Sequence, residues 1–213
     1  MKTYFLLLSF FLMLACNTNS SNEEGEHKDE DIVLTKEEQI IKTYNDAVLP
    51  LFRAYTSVDI PTEFVIDEND LGINAGAAFG YVEISQGLVN LPKVNVQIFA
   101  LSHEVAHIVT IPQAKIFGLE GSVPKGIKTN DYQKAEYLAD LIAIYLIKTN
   151  EPKRFDTLFL NFPYLQNLFG NGTFTHPSGL ERIEALNNFL EKAKLQGDDK
   201  AFKTSFIGIW QMD

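Results

Sequence analysis

The sequence predicts an α+β domain with a helical majority and a small β-sheet. Three observations carry that expectation. Apolar residues recur at helical spacing over most of the chain beyond residue 35. Two capping-box signatures, Thr35-Lys-Glu-Glu38 and Ser178-Gly-Leu-Glu181, mark where helices begin. Strand-like runs are few and short, and both precede residue 90.

In chain order, the Thr35 oxygen and Glu38 can satisfy the open amides of a first turn. Ile40, Ile41, Tyr44, Val48, Leu51 and Phe52 then continue a helical stripe to about Tyr55. Pro61 introduces a strand candidate, Glu63 to Asp67, and a Gly-rich connection from Gly72 to Gly80 leads to a second, Tyr81 to Ser85. Pro92 suits a first helical turn. Val94, Ile98, Leu101, Val105, Ile108 and Val109 describe a mostly buried helix expected to end before Pro112. Gly118, Gly121, Pro124 and Gly126 break the chain between Lys115 and Asp131 into a loop. A helix from about Tyr132 to Lys148, an aromatic-rich one from Pro152 to Phe169 and a last one from Ser178 to about Lys194 follow. The tail from Gly197 to Asp213, with Phe202, Phe206, Ile207 and Trp210, reads as either a strand or a short helix.

The 213 residues, 46% of them hydrophobic, suffice for one domain with a core. A formal net charge of −10 and the lack of any Lys/Arg cluster exclude nucleic acid as the expected partner. Residues 1–15 read as a signal peptide, with Lys2 ahead of an apolar stretch from Tyr4 to Leu14 that is short for a membrane span. Met13-Leu14-Ala15-Cys16 resembles a bacterial lipobox, which makes Cys16 the expected lipidated residue and the cell envelope the expected location, as a lipid-anchored membrane lipoprotein. Cys16 is the sole cysteine, so no disulfide framework exists. Residues 16–34, rich in Glu and Asp, read as an acidic tether to a domain spanning 35–213.

His103 and His107 stand four residues apart, on one face of the apolar helix. That spacing lets two imidazole nitrogens reach one Zn²⁺ at about 2.0–2.1 Å, with Glu104 placed as a general base rather than a ligand. Two histidines and a carboxylate on so apolar a helix would be costly without a compensating partner. A catalytic zinc takes a third protein ligand. The metzincin extension is absent, since Thr110 stands where its Gly belongs and Gln113 where its third His belongs. Glu120, Asp131, Glu136 and Asp140 are the candidates. Glu136 is preferred for its helix, whose Ala135, Ala139 and Ala143 permit close approach, and Asp140 one turn on can accept from the other ring nitrogen of a liganding His. His176, before Pro177, is either a turn residue or a donor to an oxyanion. Arg182 either pairs with a site carboxylate or is exposed.

Four blocks, in order, resemble the HtpX-like and CAAX-endopeptidase zinc metallopeptidases, which are gluzincins. They are Ile73-Asn74-Ala75-Gly76-Ala77-Ala78-Phe79-Gly80; Val82-Glu83-Ile84-Ser85-Gln86-Gly87-Leu88-Val89; His103-Glu104-Val105-Ala106-His107 with Glu136-Tyr137-Leu138-Ala139-Asp140; and Thr175-His176-Pro177 with Arg182-Ile183. The resemblance implies a zincin-like fold with the sheet beside the metal-binding helix, and one Zn²⁺ held by His103, His107 and Glu136. It implies Asp140 as companion to the ligands, and His176 and Arg182 near the catalytic centre. Asn74, Ala75 and Gly76 would belong to an edge strand that binds a polypeptide substrate by strand addition. Two departures stand out: the interval between His107 and Glu136 is short, and the transmembrane helices of the integral-membrane members are missing. The chain thus looks like a soluble lipoprotein branch engaged in envelope protein quality control.

The expected activity is therefore zinc-dependent endopeptidase. Two other readings compete with it. One is a chaperone-like binder of unfolded envelope proteins whose zinc is non-catalytic. The other is a latent peptidase whose zinc is covered by the 115–130 loop or by the tail around Trp210.

Overall fold

A computed structural model of the protein describes residues 33–78 and 80–213. The expected signal peptide, Cys16 and the tether up to residue 32 lie outside the described residues.

The domain opens on α1 (Lys36–Thr43), whose capping box forms: Thr35 Oγ1 accepts from the Glu38 amide at 3.2 Å and Glu38 Oε2 accepts from the Thr35 amide at 2.7 Å. The helical path continues as a π-turn, Tyr44–Val48, and a 3₁₀ turn, Leu49–Phe52. Pro50 has no N–H to continue the α ladder, and the hydrogen-bond register changes around it.

Three strands form one sheet in the order β1 (Val65–Asp67), β3 (Tyr81–Ser85), β2 (Ala75–Ala78). β1 runs parallel to β3, from Val65 opposite Glu83 to Asp67 opposite Ser85. β2 runs antiparallel to β3, from Ala75 opposite Ile84 to Ala78 opposite Tyr81. Gly80, at φ 76°, supplies the left-handed residue that so tight a hairpin demands. Val82 and Ile84 alternate into the core, and β2 lies at the sheet edge. Ser85 Oγ ties the segment before β2 in place: it donates to the Gly72 carbonyl (2.6 Å) and accepts from the Asn74 amide (2.9 Å). It also caps α2 (Gln86–Val89).

The centre of the domain is α3 (Val94–Ile116), apolar on nearly every side and therefore buried. Among the described residues it alone is long and apolar enough to cross a membrane, yet 67% of its apolar window is buried within the fold. It packs along α4 (Asp131–Asn150), which is capped by Asn130 Oδ1 on the Gln133 amide. Ala106, Ala139 and Ala143 are fully buried, with side chains small enough for close helix packing. α5 (Pro152–Phe159), α6 (Phe162–Phe169), α7 (Gly179–Gln196) and α8 (Asp198–Trp210) complete an α+β domain with a helical majority.

Several boundaries differ from the sequence expectation. α3 does not end before Pro112 but runs to Ile116. The last turn is held by tertiary contacts, with Gln113 and Ala114 buried and the Tyr55 hydroxyl donating to Gln113 Oε1 at 2.6 Å, which outweighs the hydrogen bond proline withholds. The loop from Lys115 is shortened accordingly. The aromatic helix expected over Pro152 to Phe169 is two helices, because Pro163 sits in the first turn of a new one after a break at Leu160 and Asn161. The Gly-rich stretch from Gly72 to Gly80 is not merely a connection, since it contains β2. The tail is a helix: Phe202, Phe206 and Trp210, spaced by four, share a face, with Phe202 and Phe206 meeting Phe117 and Phe202 stacking on Tyr145 at 4.0 Å.

Candidate metal centre

Three helices and one loop meet at the histidine pair. α3 brings His103, Glu104 and His107, α4 brings Glu136 and Asp140, and α7 brings Arg182. The loop before α7 brings His176. The first turn of α7 can approach this closely because residue 179 is glycine: a Cβ there would lie 2.0 Å from the Gln166 carbonyl oxygen. The Ser178 capping box fixes that turn, and Arg182 projects from it.

The Nε2 atoms of His103 and His107 lie 3.0 Å apart. Glu136 Oε2 is 3.3 Å from the first and Glu136 Oε1 is 3.3 Å from the second. Tetrahedral bonds of about 2.0–2.1 Å place ligand atoms about 3.3–3.4 Å apart; the two 3.3 Å contacts use different oxygens of Glu136, and one ligand atom from each residue lies within 4.8 Å of the others. His103, His107 and Glu136 together could hold a metal ion.

The neighbouring groups orient these three. His103 Nδ1 is 2.9 Å from Asp140 Oδ1, which turns Nε2 toward His107 and Glu136. Arg182 grips Asp140 with Nε and Nη2, each at 2.7 Å, and reaches Glu136 Oε2 with Nη1 at 3.2 Å. Its guanidinium lies over the Phe169 ring, 3.7 Å from the centroid. Of the two sequence readings for Arg182, the paired one is observed.

The electrostatics of the site are compatible with a bound cation. Glu104, Glu136 and Asp140 are all buried, and among the described residues Arg182 is the one buried guanidinium facing them. Acidic side chains thus outnumber basic ones in this buried region, a balance that a bound cation would offset. Protons respond to the same imbalance. Burial opposes charge on His103, but Asp140 and Glu136 outweigh it and lift its pKa to about 10. Burial likewise opposes ionisation of Glu136, yet hydrogen bonds from His103 and His107 hold it well below the usual carboxylate range. Asp140 is lowered too, as Arg182 and His103 outweigh its burial. Without metal the site draws a proton onto His103, so metal uptake would displace it.

A cavity of about 270 Å³ opens onto this centre. Ala75 borders it from the edge strand, Ile73 and Asn74 from the segment leading into that strand, and Leu168 and Phe169 from α6, with His103, Glu104, Glu136 and Arg182 also lining it. Glu104, 8% exposed, is thus beside the candidate ligands and outside their group. His176 lines the same cavity in an exposed turn, with Nε2 3.7 Å from Glu136 Oε1 and Nδ1 2.8 Å from Thr175 Oγ1. Gly76 is in β2 but does not border the cavity. None of the described residues lining the cavity comes from the 115–130 loop or the tail. The loop instead meets the tail, Thr129 Oγ1 donating to the Asp213 carbonyl at 3.1 Å, and the tail is held to α4 by the buried Lys134, which donates to the Trp210 carbonyl at 3.4 Å.

Sequence reasoning missed Phe169, Leu168 and Phe99 as parts of the site. They are ordinary apolar residues in sequence, and only tertiary packing brings them to the cavity. Compared with known proteins, the chain matches no family model, no curated protein and no solved structure.

Proposed function

We propose that the protein is a zinc-dependent metalloendopeptidase with a zincin-like fold, of the gluzincin type that the HtpX-like enzymes represent. The observation that carries this reading is the position of Glu104. It lies in the cavity beside a His103–His107–Glu136 trio, close to an edge strand. A Zn²⁺ ion bound there would polarise a peptide carbonyl and bring the pKa of water toward neutrality. Glu104 is the residue to take the proton of the attacking water and pass it to the leaving amine. Asp140 and Arg182 keep His103 in the tautomer that offers Nε2. His176, at the cavity, would serve as a donor to the developing oxyanion, while Arg182 holds Asp140 and Glu136 in place. β2, from Ala75 onward, would align an extended substrate by strand addition, with Asn74 at its start.

The lipobox-like sequence supports attachment to the bacterial envelope membrane through Cys16, and the substrates then are unfolded or misassembled envelope polypeptides. A chaperone-like binder with a purely structural metal has no use for a carboxylate at Glu104.

The test is metal analysis of the purified protein together with digestion of an unfolded protein, with and without chelator. One equivalent of zinc and chelator-sensitive cleavage are expected, with Glu104→Gln retaining zinc but not cleaving. Bound metal without chelator-sensitive cleavage of any unfolded substrate would favour the binder, and undiminished cleavage by Glu104→Gln would reject the mechanism.

A further inference from the structure

A second cavity touches the metal centre from the opposite end of the edge strand. Its volume is about 440 Å³, and Val58, Ala77, Ala78, His107, Ile108 and Ile111 line it. Asp59 and Lys115, both exposed, stand at it with opposite charges, so it offers no net electrostatic preference. The two cavities share the strand: Ala75 borders the first, Ala77 and Ala78 the second. They also divide the histidines, His103 lining the first and His107 the second. The metal position therefore lies between two hollows that follow one another along β2.

The direction of a bound chain decides what each hollow receives. Antiparallel pairing is the more stable arrangement per residue, and β2 already pairs that way with β3. A polypeptide added antiparallel to the other edge of β2 runs from beside Ala78 toward beside Asn74. Its residues at the Val58–Ile111 hollow then precede the bond held over the metal. Those at the Leu168–Phe169 hollow follow it.

We propose that the Val58–Ile108–Ile111 cavity is a specificity subsite for a large apolar side chain on the N-terminal side of the scissile bond. This rests on the peptidase reading above. Val58, Ile108 and Ile111 give it branched aliphatic walls beside the polar Ser57, and Ala77 and Ala78 of the strand carry nothing larger than methyl, which leaves the hollow open to a substrate side chain. Pro112 completes the boundary on α3. One apolar side chain seated in such a pocket is worth about ten-fold or more in discrimination against glycine.

Two measurements test it. In the first, an unfolded protein is digested with the wild type and the cut sites are mapped by mass spectrometry. In the second, fluorescent extended peptides carrying Leu or Gly at one position are titrated into zinc-loaded Glu104→Gln protein, where binding is read without cleavage. Expected are enrichment of Leu, Ile, Met or Phe within two residues N-terminal to the cuts and at least about ten-fold tighter binding of the Leu peptide. Ile111→Trp, which fills the hollow from α3, and Val58→Trp, which fills it from the facing wall, should each bring the Leu:Gly ratio toward one and erase the enrichment. Cleavage with no apolar enrichment, enrichment only C-terminal to the cuts, or a ratio unchanged in both variants would overturn the subsite while leaving the peptidase intact. No cleavage and no peptide binding at all would overturn the peptidase reading and the subsite with it.

Discussion

Asp140 holds Arg182 by both carboxylate oxygens, at 2.7 Å to Nε and 2.7 Å to Nη2, and the pair is almost wholly buried. The same carboxylate contacts His103 Nδ1, so one residue sets both the guanidinium and a candidate ligand. Arg182→Ala would leave Asp140 buried without its partner and should cost about 3–5 kcal/mol of stability in urea unfolding. Asp140→Asn should weaken metal binding about 10–100-fold, because His103 loses the acceptor that fixes its ring. Competition with a fluorescent chelator measures it.

Metal removal should destabilise the whole domain, since the candidate ligands come from α3 and α4, the two central helices. A metal present at a hundred times its dissociation constant adds about 2.7 kcal/mol, or roughly 5–10 °C in melting temperature. Calorimetry with and without chelator checks this. In His107→Ala the chelator should make no difference.

Gly179→Ala should be destabilising by about 1–3 kcal/mol, because the new methyl group would meet the backbone of Gln166 rather than a movable side chain. The displacement falls on the first turn of α7, so metal affinity should drop in step with stability. Gly87→Ala meets the Gly72 carbonyl at 1.9 Å and should cost a similar amount, but at the base of the edge strand, so peptide binding is the property to measure.

Alkaline pH should unfold the protein through its tyrosines. Tyr44 is inaccessible and its hydroxyl donates to the Pro61 carbonyl at 2.6 Å. Burial raises its pKa from 10.0 to about 12. The unfolded chain therefore gives up this proton first, so the stability it contributes is complete below pH 10 and is lost as pH rises toward 12. Tyr137 and Tyr145 are also raised to about 12, burial being the main cause in both. Absorbance of phenolate should appear together with loss of helix signal, and Tyr44→Phe should make the pH dependence shallower.

The site was legible in the sequence where chemistry is tied to local spacing. His103 and His107 sit one helical turn apart, and Glu136 and Asp140 repeat that spacing on α4, so which side chains would share a face followed from helix geometry, whereas which atoms meet did not. Helix starts were legible where a side chain makes the cap, as at Thr35 and Ser178. Pro112 misled because its missing amide is a local signal, whereas the packing of Gln113 and Ala114 that carries α3 onward is not. β2 was hidden from residue propensities, since Ala75-Gly76-Ala77-Ala78 has none of the branched or aromatic residues that announce a strand; its pairing with β3 is what makes it one. The hollow at Val58 and Ile111 was invisible for a simpler reason: its walls lie more than fifty residues apart in sequence.

The plainness of β2 bears on which targets would be vulnerable. With nothing larger than a methyl group along Ala75–Ala78, this edge would recognise a substrate by its main chain, and main chain becomes available only when a target's own sheets and helices let go of it. For a peptidase built around such an edge, the lifetime of a neighbouring protein is governed first by how often a segment opens locally, and only afterwards by what side chains that segment carries. Well-folded neighbours would be spared by their own thermodynamics, with no recognition tag needed to mark the damaged ones.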